Sequence, residues 1–416
     1  MDIRLIRDNP DEARQMLALR RSSADLDRIL ELDERRREAV RRRDAARTDL
    51  KRCSEQVARA KREGRDATAL MEEARRFSDA ARQAEAELAA IEAEQERLVR
   101  ALPNSVAAGV TDTEEIVAEW GEKPVFDFPV LAHWDLCPAL GVVDFEAAAR
   151  LAGSRFVLFR GAGALLERAL INYFLDVAVR RHGYTEISPP VLANAATLEG
   201  SGQLPHLEAD MYALKDEGLY LIPTAEPALV GYHRGEVLNE SDLPLKYVAW
   251  TCCFRREAGS YGKDVRGMIR VHQFDKVELV RLTLPERSDE DLEQMRQEAE
   301  FLLRELGLAY RVKRLAAWDM AFQSAKTYDL EVWAAAEERW LEVSSISNCL
   351  DYQTRRLKIR GRRRDGRSFI PHSLNGSALA LPRVFIAIME NYQQADGSVR
   401  VPGVLKSYMH GLERIG

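Results

Sequence analysis

The sequence has no long apolar stretch: the longest, around Ala378 to Met389, is interrupted by Pro382 and Arg383, far short of the roughly 20 residues that cross a bilayer. Its start, Met1-Asp-Ile-Arg-Leu-Ile-Arg-Asp, is charged, so no secretory signal is expected and the protein is expected to be cytoplasmic, with no membrane partner. Cysteine is scarce. Five cysteines in 416 residues, two of them adjacent at Cys252 and Cys253, lack metal-type spacing, which excludes a disulfide framework and a zinc signature. No Gly-x-Gly-x-x-Gly opens a helix and no Walker phosphate loop occurs, which argues against a parallel doubly wound nucleotide fold. Aromatic residues are 7% and hydrophobic residues 46%, a composition that suits two or three globular domains with a large core.

Formal charge is −6, which excludes a protein that coats nucleic acid indiscriminately. The charge is uneven. Arg35 to Arg65 holds 13 basic and five acidic residues, whereas Met71 to Leu98 holds four basic and eight acidic. From Leu70 onward, apolar or small residues recur at Ala74, Phe77, Ala81, Ala84, Leu88, Ile91 and Leu98, with Gln95 in the one polar slot. That four-three alternation is a coiled-coil seam. Leu26, Ile29, Leu30, Val40, Leu50, Cys53 and Val57 repeat more loosely before it, and Gly64 with Asp66 marks a turn. The pattern predicts an antiparallel helical hairpin from about Leu26 to Leu102, ended by Pro103-Asn104, with arginines of the outgoing helix in solvent. A rod whose single seam is consumed internally can use its basic limb to hold phosphate backbones, positioning an RNA without reading its bases.

A composition shift from Val106 to Phe128 reads as a linker. The domains expected are therefore residues 1–105, a linker at 106–128 and a catalytic body at 129–416. In the body a helix is predicted around Gly163 to Arg181, a strand near Thr185 to Val191, a hairpin at Tyr212 to Ile222, motif strands from Lys246 to Val280 and a helix from Asp291 to Leu306.

Within it, Cys253-Phe-Arg-Arg-Glu-Ala-Gly-Ser, a loop punctuated by Gly259, Gly262 and Gly267, and Arg270-Val-His-Gln-Phe-Asp-Lys-Val-Glu278 form a strand pair interrupted by charge. Unpaired buried charge is costly, so Arg255, Glu257, Arg270, Lys276 and Glu278 suggest a polar ligand. Tyr220-Leu-Ile-Pro-Thr-Ala-Glu226 places a hydroxyl and a carboxylate two residues apart, on one side if extended. Trp340-Leu-Glu-Val-Ser-Ser345 and His372-Ser-Leu-Asn-Gly-Ser377, followed by Leu381-Pro-Arg383, complete four blocks.

In this order the blocks resemble seryl-tRNA synthetases, a family of class II aminoacyl-tRNA synthetases. The resemblance covers nearly the whole chain and implies an α+β fold, an antiparallel sheet flanked by helices with an N-terminal coiled-coil arm. It implies ATP-dependent activation of L-serine to seryl-adenylate and transfer to the 3′ end of tRNA(Ser), in a homodimer. Serine ligands would be Thr224, Ala225, Glu226, Arg255, Glu278, Asn375 and Ser377. ATP would be held by Arg255, Arg256, Glu257, Arg270, Val271 and Phe274, and by Glu342, Val343, Ser344, Ser345 and Arg383. Catalysis would rest on Arg255, Glu342 and Arg383, with Mg2+ on Glu342 and Ser345. The arm would grip the variable arm of tRNA(Ser) through Arg35, Arg36, Arg42, Arg43, Arg47, Lys51, Arg59 and Lys61. Arg355 and Arg356 face either RNA or solvent. Departures from the family pattern stand at Pro382, at Pro227–Gly231, at Trp318-Asp319 and at Ile346. They leave two alternatives: a specialised paralogue with the same chemistry, serving antibiotic biosynthesis or inhibitor self-resistance, and a non-catalytic tRNA-binding protein.

Overall fold

Asp25 starts the arm: its carboxylate accepts from the Arg28 N–H at 2.9 Å and caps α1 (Leu26–Arg62), satisfying one of the donors that a helix start leaves open. Gly64 turns the chain at φ +67°, Asp66 accepts from the Thr68 N–H, and α2 (Thr68–Arg100) returns. In this computed structural model the described residues are 1–258 and 266–416; Gly259 and Gly262, expected to punctuate the motif loop, lie outside them. The buried seam of α1 is Ala39, Ala46, Cys53 and Ala60, a strict seven-residue repeat of small side chains facing Ala81, Ala84, Leu88, Ile91 and Gln95 of α2. The Cys53 thiol reaches the Leu70 carbonyl at 3.1 Å, so the backbones approach closely. Val40, Leu50 and Val57, the larger residues expected in this seam, are only half-buried. At the base, Met1, Ile6, Ala13, Leu17, Leu26, Ile29 and Leu102 form a small core. These residues belong to one unit, Met1–Pro103; the second is Asn104–Gly416.

The second unit is built on an eight-stranded sheet. Its strands are β1 (Glu115–Trp120), β2 (Thr185–Glu186), β3 (Leu245–Phe254), β4 (Gln273–Thr283), β5 (Tyr310–Arg314), β6 (Lys326–Ala334), β7 (Arg339–Asn348) and β8 (His372–Ala380). The order is β1-β5-β6-β7-β8-β4-β3-β2, antiparallel throughout except for the β2–β3 pair. Helices α3 (Ala162–Arg180), α4 (Ser288–Glu305) and α5 (Leu381–Asn391) supply Leu170, Phe174, Met295, Leu303, Phe385 and Ile388 to one large core. Arg281 of β4 is fully buried, but Asp291 and Glu298 of α4 and the Tyr184 hydroxyl satisfy it; a buried charge persists only with such partners.

Residues 106–128, expected as a linker, do not stand apart. Glu115–Trp120 is the edge strand β1, paired with β5, and the Asn104 amide donates to the carbonyls of Gln323 and Cys349. Only Ala118 of this strand is even half-buried, which is why its composition resembles a loop.

Candidate active site

A side chain in a strand points to alternate faces, and here the alternation builds a cleft of about 490 Å³. Phe274, Lys276 and Glu278 of β4, Ser345 and Ser347 of β7, and Asn375 and Ser377 of β8 line it. Their neighbours Val277, Leu279, Ile346 and Leu374 turn the other way into the core. Two irregularities adjust this pattern, one between Glu342 and Ser344 and one between Ser377 and Ala380; a bulge re-aims the side chains beside it.

At one end stands Glu226, fully buried. Gln353 donates to its Oε1 at 2.6 Å and Asn375 at 3.1 Å, while Gln323 and Gln203 approach at 3.4 and 3.5 Å. Burial, then the nearby Glu278, pushes the carboxyl up to about 7, and the Gln353 amide opposes this. Thr224 and Glu226 are not extended as the sequence suggested. Glu226 opens a short helix, Glu226–Gly231, and its N–H donates to the Thr224 hydroxyl at 3.3 Å, so the threonine turns the chain into the helix. Glu278 pairs with Lys276 at 2.5 Å and lies 3.5 Å from the Ser377 hydroxyl.

Three arginines also line the cleft. Arg255 lies 5.1 Å from the Phe274 ring centroid and donates to the Pro223 carbonyl. Arg270 pairs with Glu257 at 3.2 Å. Arg383, from the first turn of α5, donates to the Glu342 carbonyl at 2.7 Å and approaches its carboxylate at 3.4 Å. Val271, Val343 and Ser344 complete the expected lining, and the Ser344 hydroxyl is spent on the Ser377 carbonyl at 2.7 Å. Two predicted residues do not line the cleft. Ala225 is packed in a hydrophobic cluster with Leu229 and Leu357, and Arg256 is exposed, contributing its N–H to the Asp210 carbonyl. Arg256 lies beyond the end of β3 at Phe254, in a loop where Glu257 takes φ +50°, and this loop turns it away from the cleft that Arg255 and Glu257 line.

The donor set around Glu342 suits magnesium. Ser345 stands opposite Asp329 in the β6–β7 register. Asp329 is buried with one carboxylate oxygen lacking any hydrogen bond, and burial, then Glu342, holds its carboxyl well above the usual range. An orphaned buried oxygen beside a carboxylate and a hydroxyl is an oxygen-rich environment of the kind a hard cation accepts.

The model for the seryl-tRNA synthetase N-terminal domain matches residues 1–106, and that for the tRNA synthetase class II core domain (G, H, P, S and T) matches residues 212–392. The serine–tRNA ligase of Oleidesulfovibrio alaskensis is 49% identical over 99% of this chain and 98% of its own. The chain belongs to the seryl-tRNA synthetase family. A Thermotoga neapolitana serine–tRNA ligase is 48% identical over 98% of each chain. Among solved structures of the family, the Pyrococcus horikoshii seryl-tRNA synthetase complexed with ATP has a TM-score of 0.95 and 34% identity, covering 100% of this chain and 99% of that one.

The departures from the family pattern largely spare the cleft. Pro382 lines it, yet stands in the first turn of α5, where proline costs the helix no hydrogen bond, and Arg383 still reaches Glu342. Ile346 faces Gly376 in the core. Pro227, Leu229 and Val230 are buried, and the Trp318 indole donates to the Asp112 carbonyl.

On the arm, Arg36, Arg42 and Arg47 are not simply solvated: they pair with Glu92, Glu87 and Glu85 of α2 at 3.0, 2.9 and 2.8 Å. The excess acid of α2 thus meets the excess base of α1. Arg35, Arg43 and Arg59 pair with Glu31, Asp44 and Glu63 of their own limb, while Lys51 and Lys61 are exposed and form no ion pair among the described residues. Three glutamines were missed: Gln203, Gln323 and Gln353 carry no motif signal, yet with the predicted Asn375 they hold Glu226.

Proposed function

We propose that this protein activates L-serine with ATP and transfers the seryl group to the 3′ end of tRNA(Ser). The observation that carries the reading is one cleft in which two buried carboxylates, Glu226 and Glu278, stand among Asn375 and Ser377 while Arg255, Arg270 and Arg383 line its remainder. The acidic end suits the ammonium and hydroxyl of serine; the cations suit a carboxylate and a triphosphate. The serine carboxylate oxygen attacks the α-phosphorus, the bond to the bridging oxygen breaks, and pyrophosphate leaves with the electron pair. The adenosine hydroxyl at the tRNA end then attacks the seryl carbonyl, AMP departs, and the hydroxyl proton goes to solvent or phosphate.

Arg255 presents a planar fork to the carboxylate and α-phosphate, and Phe274 lies under the adenine ring. Glu257 and Val271 meet the adenine edge. Arg383 covers the opposite adenine face and reaches the γ-phosphate. Glu342 and Ser345 would hold magnesium, which supplies charge neutralisation on the phosphates when bound. No protein nucleophile is involved; positioning and charge stabilisation carry the rate. A pocket that hydrogen-bonds the serine hydroxyl rejects alanine, because its own polar groups would be left unpaired.

We assign the basic limb of the arm to the variable arm of tRNA(Ser), with the exposed ion pairs of Arg36, Arg42 and Arg47 exchanging carboxylates for phosphates, since such pairs hold only about 0.2–1 kcal/mol. The protein works as a cytoplasmic homodimer. None of the described helices is long and apolar enough to cross a membrane. The test is aminoacylation of tRNA(Ser) with labelled serine: charging with serine and none with alanine or threonine is expected, and no charging of any tRNA would overturn the reading.

A further inference from the structure

The segment Arg355-Arg-Leu-Lys-Ile-Arg-Gly-Arg-Arg-Arg-Asp-Gly-Arg367 holds eight basic residues and one acidic in a chain of charge −6. Strand alternation sorts them. Arg360–Arg362 is the middle strand of a three-stranded sheet, between Val237–Asn239 and Ser368–Phe369. Gly361 faces inward, where an added Cβ would stand 2.2 Å from the Phe369 ring. Arg363 shares that side, with its guanidinium 4.4 Å from the same ring, and pairs with Glu286 at 2.5 Å and Glu240 at 3.1 Å. Arg360 and Arg362 point the other way and are exposed, as are Arg364 in the following turn and Lys358 before the strand.

None of these four makes an ion pair among the described residues. The nearby acids are already engaged: Glu240 and Glu286 with Arg363, Asp365 with Arg367 at 2.8 Å, and Glu236 with His233 at 2.7 Å. Edge strands carry cations to block unwanted pairing, but this strand is central, so that reason does not apply. The segment also adjoins the cleft. The preceding helix, Tyr352–Arg356, holds Glu226 through Gln353, and Leu357 packs beside Gly200.

We propose that Lys358, Arg360, Arg362 and Arg364 form a second RNA surface, which binds the phosphate backbone of tRNA close to its 3′ end. The proposal rests on the tRNA-charging function proposed above and adds an RNA-binding surface on the catalytic body, separate from the arm. Phosphate contacts position an RNA without reading its bases, so the surface acts on the encounter with tRNA and leaves adenylate formation alone.

The test uses the full-length chain with R360A/R362A/R364A and, beside it, R360K/R362K/R364K. Serine-dependent pyrophosphate exchange should be the same in both as in the parent. In the alanine variant kcat/KM for tRNA should fall ~10-fold and its logarithmic salt dependence should become shallower by about 2, at roughly 0.7–0.9 for each phosphate no longer neutralised. The lysine variant should recover most of the loss, because binding a phosphate needs only a point charge. Unchanged kcat/KM and salt slope in the alanine variant would overturn the proposal, as would loss of exchange in that variant, which would mark the arginines as structural. If the parent itself shows no serine-dependent exchange, it is the functional reading that fails, and the two failures remain distinct.

Discussion

Gln353 Nε2 lies 2.6 Å from Glu226 Oε1, a buried neutral amide donating to a buried carboxylate at the cleft wall. The same glutamine accepts from the Ser373 hydroxyl through its oxygen at 2.8 Å, so its orientation is fixed and the donor must face Glu226.

Burial of Glu226 makes serine binding dependent on pH, and this hydrogen bond limits the shift. Burial raises Glu226 from 4.5 to about 7, so the stability associated with its bound proton is present below about pH 4.5 and lost as pH rises through about 7. Serine binding needs the carboxylate and follows the opposite course: KM for serine should fall as pH rises from about 6 to about 8. Gln353→Leu removes a donor to the charged form and should move the break to higher pH while raising KM for serine ~10-fold or more, since a hydrogen bond to a charged group contributes about 1.5–3 kcal/mol. A pH profile of pyrophosphate exchange in both proteins checks this.

Arg383 and Glu342 line the cleft together, the guanidinium held by the Glu342 carbonyl at 2.7 Å. Arg383→Ala should lower kcat for exchange by about 10²–10³-fold, the scale of removing one group that stabilises developing charge, with little change in thermal midpoint. Arg383→Lys should recover little, because the ammonium lacks the planar fork. Steady-state exchange kinetics on the two variants decide it.

His133 links three parts of the body. Its Nε2 accepts from the Met268 N–H at 3.2 Å, and its Nδ1 is 2.9 Å from Glu390 of α5. Met268, Ile269 and Arg270 line the cleft. Gly267 is at φ +70°, and an added Cβ would stand 2.1 Å from His133 Nε2, so Gly267→Ala should displace this limb and raise KM for ATP more than KM for serine. His133→Ala removes the ring donor to the buried Glu390 carboxylate, which keeps the N–H groups of residue 133 and Ala336, and should destabilise the protein by about 1.5–3 kcal/mol, the contribution of a hydrogen bond to a charged group, measured by denaturant unfolding.

Replacing Arg35–Leu98 by a short glycine-serine turn should spare adenylate formation and abolish efficient charging of tRNA. Parallel exchange and aminoacylation assays measure the two activities separately; retained charging contradicts the role assigned to the arm.

The sequence carried the elements with strong periodicity or charge. The heptads of α2, the charged strands β3 and β4, and the carboxylate and guanidinium groups of the cleft were legible because their patterns have few structural explanations. Of the small-residue seam Ala39-Ala46-Cys53-Ala60 only Cys53 was read, because the larger Val40, Leu50 and Val57 beside it drew the repeat off the buried line. Strand β1 was hidden by its exposure. Gln203, Gln323 and Gln353 were invisible for a related reason: a neutral amide gains its meaning only when folding places it against a buried carboxylate. Sequence neighbours likewise could not show that Ala225 and Arg256 stand outside the cleft lining, one at a helix start and the other in the loop after β3.

The most direct measurement is exchange of labelled pyrophosphate into ATP without tRNA, with serine, alanine, threonine and glycine compared side by side. Strong exchange with serine alone is expected from a cleft that pairs Glu226 and Glu278 with Arg255 and Arg383. Absence of exchange with every amino acid, or equal exchange with alanine, would contradict the serine-activating role.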